Sequence, residues 1–384
     1  QRNLKVMANL ILPFFYGTNF LETSDMVQGA SLQLHITAEC NQRCKHCYMF
    51  EAEDYRSQIE NPLSKEQIFG LLDEYFDFLG KYNCGGLVAL TGGDPLLSPK
   101  FWPVLDYLKE KYSSKCGVII LGNPYHIDND TALRMKKLGV TSYQISLDGL
   151  KAKHDYLRKP GSFDDSLRAL EILHDAGLDT VVSFTVSKLN AGDLLPLYDF
   201  LQEKEYVDAF GFDRLIPTGN GKDMKKYLFA PDEYKRYLFD ILMHMLSEEK
   251  SLMISMKEQM WRPLLYELGL IDPLLSENGN CAAGCNAGTG TVSVLADGTI
   301  YPCRRMAIPA GKYPEKSFEE IFVHNGLTEA LRRYNEYAGC TDCPLFLHCR
   351  GCPAMKYAVT GNLYDNEPYC WRKENGRQSD IRYR

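Results

Sequence analysis

The stretch Cys40-Asn41-Gln42-Arg43-Cys44-Lys45-His46-Cys47-Tyr48 sets three cysteines at the spacing C-x3-C-x2-C, directly after a short apolar run at residues 31–37. Several thiols on one loop can converge on a single metal centre, and here the loop leaves the end of a candidate strand. Further apolar runs at 86–90, 116–121, 142–147, 180–186 and 210–216 alternate with helical patterns at 99–111, 130–138, 163–176 and 193–204. An earlier helix opens with Ser64 and Gln67 as a capping box, ahead of Ile68, Leu71, Leu72, Tyr75, Phe76 and Leu79 at helical spacing. Six strands separated by helices predict an α/β chain with a parallel sheet and right-handed crossovers, its chemistry at the C-terminal strand ends. Periodicity leaves open whether the sheet closes.

The remaining cysteines are not scattered. Of 13, three fall between Cys40 and Cys47 and eight between Cys281 and Cys370, leaving Cys84 and Cys116 as ordinary buried thiols. An odd count without an export signal argues against a disulfide framework in a chain of 384 residues, which is long enough to build its own core. The content of 45% hydrophobic and 24% charged residues is that of a folded chain, and the net charge of −7 offers no general attraction to nucleic acid or anionic lipid. Residues 6–21 lack charges, but Asn9, Pro13, Gly17, Thr18 and Asn19 interrupt them, so an ordered N-terminal segment is expected there, not a signal peptide or membrane span.

Three thiolates leave one iron of a four-iron cube without a protein ligand, and an open position marks a reactive metal centre. Zinc is the alternative, with His46 as a fourth ligand. Two further motifs sit at strand ends: Gly92-Gly93-Asp94-Pro95 after the second strand and Ser146-Leu147-Asp148-Gly149 after the fourth. Together with the cysteine loop and its trailing aromatic residue, they resemble the radical S-adenosylmethionine superfamily. The resemblance implies a partial (β/α)6 TIM-like barrel and a [4Fe–4S] cluster on Cys40, Cys44 and Cys47, whose open iron binds S-adenosylmethionine. It further implies that Gly92, Gly93 and Asp94 hold the methionyl amine, that Tyr48 lies near the adenine, and that Ser146 and Asp148 lie near the ribose or carboxylate. Arg158, in the run His154-Asp155-Tyr156-Leu157-Arg158 before Gly161-Ser162-Phe163, is a candidate for the cofactor carboxylate.

Beyond residue 221 the pattern changes. Residues 231–249 and 261–268 read as helices, and residues 292–295 and 299–301 flank Asp297-Gly298 as a hairpin. The eight late cysteines read Cys281-x3-Cys285, Gly298-x4-Cys303, Cys340-x2-Cys343-x5-Cys349-x2-Cys352 and Cys370. Four-plus-four thiolates suit two closed clusters, with structural zinc as the competitor. This set resembles the SPASM domain, which implies one auxiliary [4Fe–4S] cluster on Cys281, Cys285, Cys303 and Cys352, and another on Cys340, Cys343, Cys349 and Cys370. The ending C-x2-C, in place of C-x3-C, and the closeness of Cys281 to Cys285 depart from that pattern. The expected organisation is an N-terminal segment (1–30), the barrel (31–221), a helical bridge (222–279) and a small cysteine-rich SPASM domain (280–384).

The resemblance implies oxidation of a peptide or protein by a 5′-deoxyadenosyl radical, giving a thioether or other crosslink. Alternatives are formylglycine formation on a sulfatase, tetrapyrrole side-chain chemistry and a non-catalytic zinc module. Residues 1–30 are too few for a winged-helix-like leader-binding domain, so a separate recognition protein would serve, beside an electron donor such as flavodoxin or ferredoxin. Asp213 or Arg214, at the sixth strand end, is read as contacting cofactor or substrate, or else as a strand-end ion pair. Oxygen-sensitive clusters imply a reduced cytoplasm.

Overall fold

The computed structural model describes residues 30–50, 52–113, 115–247, 252–255, 257–271, 284–346 and 348–372. The N-terminal segment expected at 1–30, apart from Ala30, and Cys281 lie outside the described residues. Seven parallel strands run in order: β1 (Ala30–Thr37), β2 (Gly86–Gly92), β3 (Gly117–Leu121), β4 (Val140–Ser146), β5 (Asp179–Val186), β6 (Ala209–Arg214) and β7 (Met253–Ser255). The connecting helices are α1 (Ala52–Glu60), α2 (Lys65–Lys81), α3 (Phe101–Tyr112), α4 (Asn129–Lys137), α5 (Lys151–Leu157), α6 (Ser162–Asp175), α7 (Leu194–Gln202), α8 (Pro231–Ser247) and α9 (Trp261–Glu267). The short seventh strand escaped the sequence reading, because three residues cannot display a period.

Side chains alternate across each strand. Leu32, Leu34 and Ile36 of β1 are buried on the outer face with Leu71, Leu72 and Tyr75 of α2. Ser31, Gln33, His35 and Thr37 take the inner face, as do Ser142, Gln144 and Ser146 of β4 and Ser183 and Thr185 of β5. The barrel is thus apolar outside, under its helices, and polar within along β1, β4 and β5, with Ala89 and Ile119 lining the interior of β2 and β3. A polar interior of this kind is suited to holding a ligand. At the start of α2 both capping-box bonds form: Gln67 N–H donates to Ser64 Oγ at 3.2 Å and Ser64 N–H to Gln67 Oε1 at 2.8 Å.

The C-terminal hairpin, β8 (Thr291–Val294) and β9 (Thr299–Tyr301), does not stand apart. β8 pairs in parallel with β1, and β10 (Gly311–Lys312) extends the order to β10-β9-β8-β1-β2-β3-β4-β5-β6-β7. The sheet is therefore an open barrel, with β10 and β7 as its edges. A two-stranded hairpin alone is marginal in water, and joining β1 covers an edge that would otherwise expose unpaired backbone. Its turn needs glycine: Gly298 has φ +86°, and a Cβ there would meet Tyr313 O at 2.1 Å. Helix α10 (Phe318–Phe322) docks on α2, with Phe318 edge-on to Tyr75 and Phe78 and its backbone N–H on Glu74 at 2.8 Å. Two more helices follow, α11 (Gly326–Arg332) and α12 (Pro353–Thr360).

Candidate active site

The cysteine loop leaves β1 and is clamped by neighbouring strand ends. Lys45 N–H donates to Leu157 O at the end of α5, and Asn220 bonds the loop twice, from its N–H to Cys47 O and from its amide to Cys44 O. Gly219 beside it has φ +55°, and a Cβ there would meet Cys47 O at 2.5 Å. The sulfurs are themselves addressed. Asn123 Nδ2 approaches Cys40 Sγ at 3.3 Å, Gln42 N–H the same sulfur at 3.4 Å, and the Arg158 guanidinium Cys44 Sγ at 3.8 Å. Burial pushes the Cys47 thiol up to about 12, and Cys44 upward as well, with Arg158 opposing. Buried thiols in this state hold their protons until a metal or cluster replaces them, and donors aimed at sulfur favour the thiolate a cluster requires.

Gly92 and Gly93 are fixed by chain approach. Gly92 has φ +138°, its Cβ would meet Thr37 O at 2.1 Å, and a Cβ on Gly93 would meet Glu39 O at 2.1 Å. Backbone bonds from Gly93 N–H to Thr37 O and from Asp94 N–H to Glu39 O tie the motif to the cysteine loop. Asp94 is buried: Oδ2 accepts from Asn41 Nδ2 at 3.0 Å, Oδ1 has no hydrogen-bond partner, and Asn41 continues the chain to Asn123 at 2.7 Å. Burial pushes the Asp94 carboxyl up to about 6, with the Asn41 bond opposing. An unpartnered acidic oxygen beside the cysteine loop fits the ammonium of an amino acid cofactor.

That value has a measurable consequence. A folded-state value above the ordinary one near 4 means the native state binds the proton more tightly. In cofactor-free protein the stabilisation from Asp94 is complete below about pH 4 and is lost as pH rises through about 6, a change of roughly 2–3 kcal/mol. Asp94→Asn should therefore flatten the urea-unfolding stability between pH 4 and 7.

Asp148 is fully buried, and both its oxygens are engaged. Oδ2 meets Arg158 Nε at 2.5 Å and His46 Nε2 at 3.1 Å, and Oδ1 accepts from Thr185 N–H at 2.8 Å. Burial opposes ionisation, yet Arg158 and His46 hold this carboxyl well below the usual range. His46, the side chain that would complete a mononuclear zinc set, is turned toward Asp148 through Nε2. The motif that suggested Arg158 is accounted for residue by residue: His154 Nδ1 accepts from Asp148 N–H at 3.1 Å, and Asp155 accepts from Gly161 and Phe163 N–H at the start of α6. Ser146 is half-buried at the inner end of β4, and Tyr48 packs under the Arg304 guanidinium, 4.9 Å from the ring centroid, its hydroxyl pushed up to about 12 by burial.

The strand-end pair after β6 separates. Arg214 is buried between Glu258 (3.3 Å) and Glu367 (3.0 Å), with its guanidinium 4.7 Å from the Tyr369 ring centroid. Of the two readings made for it, the geometry matches the ion pair, because both of its terminal nitrogens already face buried carboxylates. Asp213 pairs with Arg305 at 3.5 Å.

Among the late cysteines, Cys340, Cys343, Cys349 and Cys370 line a single cavity of about 230 Å³ together with Glu367 and Arg372. One water needs roughly 10–15 Å³ of such space, so the cavity takes a much larger group. Cys285 and Cys352 are pushed up by burial and next by a neighbouring thiol, Cys303 for Cys285 and Cys285 for Cys352, where the latter reaches about 12. Among the described residues these thiols thus form one group of four and one of three. Cys84 and Cys116 are half-buried against the core, with thiols raised by burial. Sequence reading missed Asn41, Asn123 and Asn220, although Asn123 and Asn220 follow strand ends and could be sought there.

Residues 34–201 match the Radical SAM superfamily and residues 285–344 the iron–sulfur cluster-binding SPASM domain. The AdoMet-dependent heme synthase of Methanosarcina barkeri is 28% identical over 350 residues, covering 87% of this chain and 94% of its own. The mycofactocin maturase MftC of Mycolicibacterium smegmatis is 29% identical, covering 88% of this chain and 82% of its own. SuiB of Streptococcus suis, solved bound to its precursor peptide SuiA, shares the fold with a TM-score of 0.70 at 16% identity, over 95% of this chain and 79% of its own. Among the described residues no helix is long and apolar enough to cross a membrane.

Proposed function

The chain belongs to the radical S-adenosylmethionine superfamily and carries a SPASM domain, and from that premise we propose that it oxidises a peptide held at the mouth of the barrel. It is an enzyme that uses S-adenosylmethionine and iron–sulfur clusters. The carrying observation is the cysteine loop with its sulfur-directed donors next to a buried, half-satisfied Asp94. When bound, S-adenosylmethionine at the three-cysteine loop would supply one-electron radical chemistry, and iron–sulfur clusters would supply the electron transfer it needs.

The chain's own residues set the stage. Cys40, Cys44 and Cys47 hold the first cluster. Asp94 Oδ1 receives the cofactor's ammonium, Gly92 and Gly93 let the chain close on it, and Tyr48 borders the adenine. Asp148 acts through Arg158, fixing the guanidinium against Cys44 and leaving its remaining N–H groups for the cofactor carboxylate. Ser146 faces the ribose. Cys285, Cys303, Cys352 and Cys281 hold one auxiliary cluster, and Cys340, Cys343, Cys349 and Cys370 the other. Resemblance to MftC and to the peptide-bound SuiB fold supports the peptide reading. The heme synthase likeness favours a second reading, oxidation of a tetrapyrrole side chain.

Anaerobic assays divide the two. Reduced holoenzyme should release 5′-deoxyadenosine at least tenfold faster with its substrate class than without it, and mass spectrometry of that substrate should show loss of two hydrogens or of a side-chain fragment. Stimulation by an iron porphyrin and by no candidate peptide encoded near the gene would replace the first reading with the second.

A further inference from the structure

Between Tyr48 and the loop after Cys303 lies a small pocket whose other lining residues take no part in the cofactor assignments. His35, on the inner face of β1, is buried with both ring nitrogens unpartnered, and Thr218 Oγ1 is buried without a partner as well. Burial, reinforced by Arg304, holds the His35 imidazole down at about 3, so it is neutral at physiological pH and offers one donor and one acceptor. Cations outnumber carboxylates here. Arg304 stacks on Tyr48 with no carboxylate at ion-pair distance among the described residues, Arg305 pairs with Asp213 at 3.5 Å with Glu258 acting on it more weakly, and Lys257 adds a third cation nearby.

Unmatched guanidinium charge beside unpartnered hydrogen-bonding groups in a sheltered space is unfavourable unless an anion fills it. The free space is about 20 Å³, against the roughly 10–15 Å³ that one water needs, so it admits a head group of a few atoms and not a whole substrate. We propose that His35, Thr218, Arg304 and Arg305 form a subsite that captures a carboxylate of the substrate. A planar carboxylate matches the guanidinium fork, and its second oxygen accepts from Thr218 or the His35 N–H. The subsite lies between the residue after Cys47 and the residue after Cys303, so an anchored carboxylate would hold its neighbouring carbon chain between the two cluster loops. The inference rests on the radical-enzyme reading. The carboxylate could come from a peptide or from a tetrapyrrole propionate, which share this chemistry.

Anaerobically reconstituted holoenzyme is titrated with two probe pairs: iron coproporphyrin III and its tetramethyl ester, followed by Soret absorbance, and a labelled short peptide with a free C-terminal carboxylate and its amide, followed by anisotropy. The acid of one pair should bind at least tenfold tighter than its neutral counterpart, and that pair identifies the source. Arg304→Gln and His35→Phe should each remove most of this preference, and Arg304→Lys should keep part of it. In wild-type enzyme, propionate should displace the acid probe and propionamide should not, a readout that needs no variant to fold. Equal affinity for acid and neutral members of both pairs, or a preference that survives both Arg304→Gln and His35→Phe, overturns the subsite. Deoxyadenosine released by the same wild-type preparation without any probe reports separately on the radical reading.

Discussion

Cys40→Ala/Cys44→Ala/Cys47→Ala should release no 5′-deoxyadenosine above about 0.1% of the wild-type rate, while about two-thirds of the iron remains on a count of three four-iron clusters. The effect is large because the three thiols share one function. No other cysteine lies on their loop, His46 is committed to Asp148, and the nearest donors, Asn123, Gln42 and Arg158, address these sulfurs and cannot replace them as iron ligands. Retained iron separates the loop from the SPASM cysteines, which lie more than 230 residues later in the chain. The cofactor-free variant should stay folded, since replacing a buried thiol by a methyl group leaves no unpaired charge. Iron, sulfide and deoxyadenosine assays on one anaerobic preparation check all three statements. Wild-type cleavage by the triple variant, or loss of all its iron with the fold intact, would refute the ligand assignment.

The elements that repeat a pattern were legible in the sequence. The strands β1 to β6 are apolar on their outer faces, Ser64 and Gln67 declare a helix start, and Asp297-Gly298 declares a hairpin. What could not be read was where the hairpin goes. Its partner is β1, some 260 residues earlier, and that choice depends on an otherwise open sheet edge, which local periodicity does not encode. The site divides in the same way. The cysteines announce themselves by spacing, and the Gly-Gly-Asp and Ser-Leu-Asp motifs by their place at strand ends and by resemblance. The use of Asp148, with both oxygens occupied by Arg158, His46 and Thr185, follows only from three-dimensional placement. So does the role of His35, whose unpartnered ring nitrogens mean something only once Arg304 is seen opposite. Arg214 carried two readings for the same reason: a charge at a strand end can face the cleft or the neighbouring layer, and its partners Glu258 and Glu367 lie 44 and 153 residues away.

Arg214→Met should destabilise the cofactor-free protein by ~3–5 kcal/mol, because it leaves two buried carboxylates without their cation. Arg214, Glu258 and Glu367 are each almost completely inaccessible, and although burial alone would disfavour the charged guanidinium, the two carboxylates hold it protonated. Methionine keeps much of the aliphatic bulk against Tyr369, so the loss is chiefly electrostatic. Glu367 couples this ion cluster to the late cysteines: its Oε2 accepts from Cys352 N–H at 2.6 Å, its Oε1 from Tyr369 N–H at 3.1 Å, and its side chain borders the cavity of Cys340, Cys343, Cys349 and Cys370. A carboxylate that loses Arg214 must take up a proton or move toward water, and either response disturbs Cys352. The variant should therefore also reconstitute with less iron, the loss falling on the auxiliary sites and not on the Cys40 loop. Urea unfolding reads the first effect, and iron content beside S-adenosylmethionine binding reads the second. Adding Glu258→Gln and Glu367→Gln to Arg214→Met should restore most of the lost stability, since no unpaired charge is then left inside. Wild-type stability in the single variant would show that water reaches these carboxylates, and Arg214 would no longer be what joins the barrel to its cysteine-rich extension.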